Sequence, residues 1–137
     1  MIGIVLVTHG RLGEEMLQTL QGVLGPVAQL EAVSTIESDP EIVKAKIRRT
    51  LERVDDGEGT LILTDMLGDT ATNLSLNVAG GSRAEVVAGV NMPMLVKAAS
   101  SRGTMGLRDL AAFIREYGRD HIFWASERSR STGGASR

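Results

Sequence analysis

From Ile2 to Val7 the chain carries no polar side chain, and the run stops abruptly at Thr8-His9-Gly10. A short apolar run without alternation reads as a strand covered on both faces. Such a strand needs a layer above it and a layer below it, and helices supply both in an α/β domain. Thr60-Leu61-Ile62-Leu63-Thr64 repeats the pattern and ends at Asp65. Two strands of this type constrain the fold more than any other feature of the chain.

Helical periodicity fills the intervals. Arg11 to Leu24 reads as a helix, with Leu12, Met16, Leu20 and Val23 on its apolar face and Gly25-Pro26 as its stop. Val27 to Val33 is a weaker second strand. Ser38-Asp39-Pro40-Glu41 starts the next helix, either with Asp39 as cap and Pro40 at the first position or through a Ser38–Glu41 capping box. Val43, Ile47, Leu51 and Val54 are its buried stripe. A third helix is expected over Thr70 to Ala79, and a fourth strand over Glu85 to Val90. Asn91-Met92-Pro93 starts a short helix, and Leu107, Leu110, Ala111 and Ile114 mark a last one. His121 to Ala125 reads as a fifth strand. Ser126 to Arg137 is rich in Ser, Arg and Gly and is expected to be a disordered tail after a single domain over residues 1–125.

Strand–helix alternation favours an open, mainly parallel sheet in three layers, with right-handed crossovers. In the flavodoxin-like order 2-1-3-4, the strands ending at His9 and Asp65 are neighbours. Chemistry in such sheets sits beyond the carboxyl ends of the strands. His9, Asp65 and Asn91 therefore fall along one edge.

Composition narrows the function. Aromatic residues make up 3% of the chain, the net charge is -2 and no basic stripe stands out, which argues against a nucleic-acid partner. Cysteine is absent, so no disulfide framework or thiolate site exists. The apolar start lacks a basic leader and reads as a strand, and no run is long enough to span a membrane. A cytoplasmic protein is the expectation. There is no G-x-G-x-x-G after the first strand, no P-loop and no metal-ligand spacing, so neither cofactor nor metal is expected. A signalling receiver of similar fold wants acidic residues where Thr8-His9 stands.

At neutral pH an imidazole is largely unprotonated and can act as a nucleophile. It needs one nitrogen facing outward and the other tied to an acceptor. Asp65 is placed to be that acceptor. Phosphoryl oxygens suit a helix N-terminus. Gly68-Asp69-Thr70 leads into one on the same edge, with Thr70 able to cap it and to donate a hydroxyl. Gly10 beside His9 permits close approach. The plainer readings are a structural His9, a turn residue at Asp65 and a simple cap at Thr70.

Three segments, IGIVLVTHG, LILTDMLGDTATN and VVAGVNMPML, together resemble the IIA component of the mannose-type sugar phosphotransferase system over about residues 1–125. The resemblance implies a phosphorylated His9, an orienting Asp65, and Thr70 where the family usually has Ser. Gly10, Gly68 and Thr70 would line the phosphoryl site. It implies the 2-1-3-4 order and an antiparallel edge strand, Ile122 to Ala125, exchanged in a homodimer. The donor would be the His-containing phosphocarrier protein and the acceptor a IIB subunit. A regulatory phosphoprotein of an incomplete system is the alternative. The family loop is typically Gly-Gly-Ser-Pro, so Asp69 adds a negative charge beside the expected site.

Overall fold

The computed structural model describes residues 1–37 and 39–131. Four strands form one parallel sheet: β1 (Gly3–Thr8), β2 (Leu30–Ser34), β3 (Thr60–Thr64) and β4 (Ala84–Ala88), in the order β2-β1-β3-β4. The helices are α1 (Leu12–Leu24), α2 (Pro40–Val54), α3 (Thr70–Ala79), α4 (Met92–Ser101), α5 (Leu107–Asp120) and α6 (Ala125–Ser131).

The unbroken apolar strands feed two cores, as two-sided burial requires. Ile4 and Leu6 of β1, with Leu61 and Leu63 of β3, pack against Met16 and Leu20 of α1, Leu95 of α4, and Leu110 and Ile114 of α5. The intervening Val5, Val7 and Ile62 point the other way, onto Val43, Ile47 and Leu51 of α2 and Ala71 and Val78 of α3. Each fully buried aliphatic side chain contributes about 1.5–3 kcal/mol. Gly3 allows α2 to close on β1: a Cβ there would lie 2.6 Å from the Val54 carbonyl oxygen.

The amino ends of the strands are stitched together by a residue that the sequence did not single out. Arg102, at the end of α4, is 4% exposed and has no carboxylate partner among the described residues. Its guanidinium donates to the carbonyls of Ile2, Ala28 and Gln29. Gln29 has φ +53°, and its side chain donates to the carbonyls of Met1 and Val54. The cationic head thus replaces water for three strand-end carbonyls.

Two expectations are not met within the single chain at the carboxyl terminus. Residues 121–124 form no strand, and the sheet has four parallel strands among the described residues. α5 runs on to Asp120, and His121 closes it by donating Nδ1–H to the Tyr117 carbonyl at 2.8 Å, its ring stacked on that of Tyr117. A strand needs a sheet edge, and the resemblance puts that edge on a second copy. The disordered tail expected from Ser126 is instead helical through Ser131, with Arg128 over the Phe123 ring and Arg130 over Trp124. Residues 132–137 lie outside the described residues. At α2, Asp39 is the cap, accepting the Glu41 N–H at 3.0 Å with Pro40 next in line; the alternative through Ser38 lies outside the described residues.

Candidate phosphoryl-transfer site

The loop after β1 leads to α1 and the loop after β3 leads to α3, and these two helices lie on opposite faces of the sheet. Adjacent strands whose loops diverge leave a crevice between them. His9 stands on one lip, and Asp65 to Asp69 on the other.

Thr8 sets the first lip. It is fully buried, and its hydroxyl oxygen accepts the Gly13 N–H at 2.7 Å. That bond caps α1, whose formal N-cap, Arg11, supplies no side-chain bond. The Thr8 carbonyl accepts the N–H of Thr35 at 3.0 Å, and the Leu12 N–H reaches back to the His9 carbonyl at 3.2 Å. His9 is therefore held by backbone on both sides while its ring remains 49% exposed. Gly10 follows at φ +48° in open space.

The second lip supplies the acceptor. Asp65 is 9% exposed, and one oxygen, Oδ2, accepts the His9 backbone N–H at 3.0 Å and lies 2.9 Å from His9 Nδ1. The other oxygen accepts the Met66 N–H at 3.1 Å. Burial acts to raise the Asp65 pKa, but the hydrogen bonds from His9 and its charge outweigh it, and the carboxyl is held below its ordinary value. The His9 pKa is raised, first by its hydrogen bond to Asp65, then by the charge of Asp65 and more weakly by that of Asp69.

The cap of α3 is Asp69, not Thr70. Asp69 has extended backbone and its Oδ1 accepts the Thr72 N–H at 3.0 Å, while Thr70 is the first helical residue. Asp is among the strongest N-caps, and one residue before the helix is where a cap must stand. Thr72 is buried, with its hydroxyl 2.6 Å from that of Thr64 and donating to the Met66 carbonyl. This ties α3 to the end of β3. Gly68, at φ +86°, makes the turn that brings Asp69 round. Asp69 Oδ2 comes to 3.2 Å from His9 Nδ1. Asn91 sits away from this cluster in role: it caps α4 through Met94 N–H and donates to the Gly118 carbonyl.

The ligand-type atoms of His9, Asp65 and Asp69 lie within 4.8 Å of one another, compact enough for a divalent cation. A proton on Nδ1 facing the two carboxylates accounts for the same geometry. Thr8 and Thr72 are the residues that sequence reasoning missed. Their signal was a hydroxyl closing an otherwise apolar strand, and a Thr in the first turn of a helix that ends in the same layer.

Comparison with known proteins fits this arrangement. Residues 3–115 match the EIIA-man family model, described as the PTS system fructose IIA component. The chain is 33% identical over 127 residues to the mannose-specific EIIAB component of the PTS system of Escherichia coli K12, covering 88% of this chain and 38% of that protein. It thus spans well under half the length of that relative. It is 26% identical over 112 residues to the fructose-specific EIIA component of Bacillus subtilis, covering 80% and 77% of the two chains. Among solved structures, component EIIA of the phosphotransferase system from Streptococcus agalactiae superposes with a TM-score of 0.85 at 25% identity, over 93% of this chain and 99% of that one. The mannose/sorbose-specific IIA subunit from Enterococcus faecalis gives 0.81 at 30%, over 89% and 92%. No helix among the described residues is long and apolar enough to cross a membrane. The chain belongs to the EIIA-man family of phosphotransferase-system IIA components.

Proposed function

We propose that the chain is a phosphocarrier in sugar uptake. Nε2 of His9 takes a phosphoryl group from the His-containing phosphocarrier protein and passes it to a IIB partner. The observation that carries this reading is the tie between Asp65 and His9. With the Nδ1 proton donated to Asp65 Oδ2 at 2.9 Å, the lone pair of the tautomer lies on Nε2, which makes no hydrogen bond among the described residues. The ring is half-exposed, so a partner's phosphoryl group can reach it.

In the transfer, the Nε2 lone pair forms the bond to phosphorus as the bond to the donor nitrogen breaks, and that electron pair leaves with the donor. Positive charge then grows on the imidazole, and Asp65 stabilises it where it stands. The N-terminal turn of α3, the Thr70 hydroxyl and the open backbone at Gly10 and Gly68 are the surroundings for the phosphoryl oxygens. The loop offers no Arg or Lys beyond Arg11, which lies 3.3 Å from Glu15 and 3.8 Å from Glu14. A group held without a strong cationic clamp is easier to pass on.

The proposal includes a homodimer. β4 is a sheet edge with partly exposed residues, and α5 alongside it leaves an open groove lined by Leu67, Glu85, Val87, Arg108 and Arg115. Phe123 and Trp124 are 54% and 66% exposed just beyond α5. An unpaired edge and an exposed aromatic segment support exchange of the segment between two copies.

The decisive experiment is incubation with phosphoenolpyruvate and the purified donor pair, followed by mapping of an acid-labile phosphoryl group. Its appearance on His9 is expected, and labelling elsewhere or none at all would overturn the reading.

A further inference from the structure

Asp69 has two oxygens with two different surroundings. Oδ1 caps α3 through the Thr72 N–H. Oδ2 is buried, makes no hydrogen bond among the described residues, and faces Nδ1 of His9 at 3.2 Å. Capping needs one oxygen only, and Asn or Ser would supply it. A buried second carboxylate oxygen costs desolvation unless it faces positive charge. The group it faces at that distance is the His9 imidazole, whose Nδ1–H is bonded to Asp65 Oδ2.

The charges around the ring are few. From the end of β3 comes Asp65, and from the start of α3 comes Asp69. The ring's own loop brings Arg11, which pairs with Glu14 and Glu15 on α1. α3 itself holds no charged residue, and α4 opens with the uncharged Asn91-Met92-Pro93. His9 thus meets two carboxylates at one nitrogen, and the nearby cation is engaged elsewhere.

The geometry points to Asp69 as a positioning residue that shares the Nδ1 proton of His9 with Asp65, holds that proton on the ring while Nε2 carries a phosphoryl group, and so makes the group easier to give away. This rests on His9 being the phosphoryl acceptor.

The chemistry follows from the leaving group. On onward transfer the N–P electron pair returns to Nε2. With the proton retained on Nδ1, the ring departs as neutral imidazole. Had that proton been lost, the ring would have to depart as imidazolate, a far poorer leaving group. A carboxylate facing Nδ1 favours the protonated ring.

Asp69→Asn tests this, because it keeps an oxygen for the cap and removes the charge. Asp69→Ser is the second variant, capping through a hydroxyl. Potassium phosphoramidate serves as the phosphoryl source, since it needs no protein partner: Nε2 bonds to phosphorus and ammonia leaves. Two quantities are read: the NMR titration of the His9 imidazole in the unphosphorylated protein, and the half-life of the phosphorylated protein in neutral buffer. In both variants His9 is expected to titrate at a lower pH than in wild type, and the phosphoryl group to persist several-fold longer. Melting temperatures should stay close to wild type. An unchanged titration or an unchanged half-life in a labelled, folded variant refutes the role of Asp69 and leaves His9 as acceptor. Failure to label even the wild type refutes the acceptor role itself and this proposal with it.

Discussion

A single carboxylate oxygen of Asp65 receives both the backbone N–H and the ring nitrogen of His9, at 3.0 Å and 2.9 Å. The first contact fixes where the residue sits and the second fixes how its ring is turned. Asp65 therefore acts on the position and the tautomer of the same residue, across the boundary between two strands 56 residues apart in sequence.

His9→Ala should abolish phosphoryl acceptance and leave the fold intact. The side chain is half-exposed and contributes little to either core. Donor-driven labelling combined with circular dichroism checks both halves: label retained on a folded variant would show that the nucleophile is elsewhere.

Asp65→Ala should slow transfer without removing it, by about a hundredfold or roughly 2.7 kcal/mol of barrier, since tautomer and orientation both loosen. Rapid-quench measurement with donor in excess reads this directly. A full-rate variant would reduce Asp65 to a turn residue.

The acceptance rate should rise with pH, because the nucleophile is the unprotonated ring. Its midpoint should lie above the ordinary histidine value of 6.5, since Asp65 and Asp69 hold the proton on. Stability runs the opposite way for this group. A raised folded pKa means that the His9 contribution is complete below 6.5 and is lost as pH climbs through the raised value. For Asp65, with its pKa lowered, the contribution is present above 3.8 and is lost as pH falls through the lowered value. Rate and melting profiles over pH 3–9 test the pair, and a rate midpoint at or below 6.5 would contradict the raised value.

Thr8→Val should lower stability by about 1–2 kcal/mol, because the Gly13 N–H loses its buried partner and α1 its cap. Chemical denaturation measures the change. A smaller loss in activity should accompany it, since Thr8 sets the backbone of His9.

A homodimer is expected in sedimentation at micromolar concentration, and truncation before Asp120 should give a monomer or an insoluble chain. Burying Phe123 and Trp124 would contribute roughly 3 kcal/mol or more to association. A full-length protein that sediments as a clean monomer would refute exchange while leaving the His9 chemistry untouched.

The sequence by itself determined the layers and the edge on which chemistry would fall. Ile2–Val7 and Leu61–Leu63 have no polar face, so they had to be central strands, and the residues that end them had to meet if the strands were neighbours. The helices from α1 to α5 were legible because periodicity is local; the 2-1-3-4 order, which is not local, was expected from the flavodoxin-like pattern and the family resemblance. Tertiary structure alone decided what a local pattern cannot encode. That Asp69 would cap α3 with one oxygen and face His9 with the other depends on the turn at Gly68, where φ is +86°. That Arg102 would close the far end of the sheet depends on three carbonyls from two segments converging, Ile2 before β1 and Ala28-Gln29 before β2. The segment at Phe123 read as a strand because its composition suits one. Pairing requires a sheet edge, and within the single chain residues 121–124 pair with none.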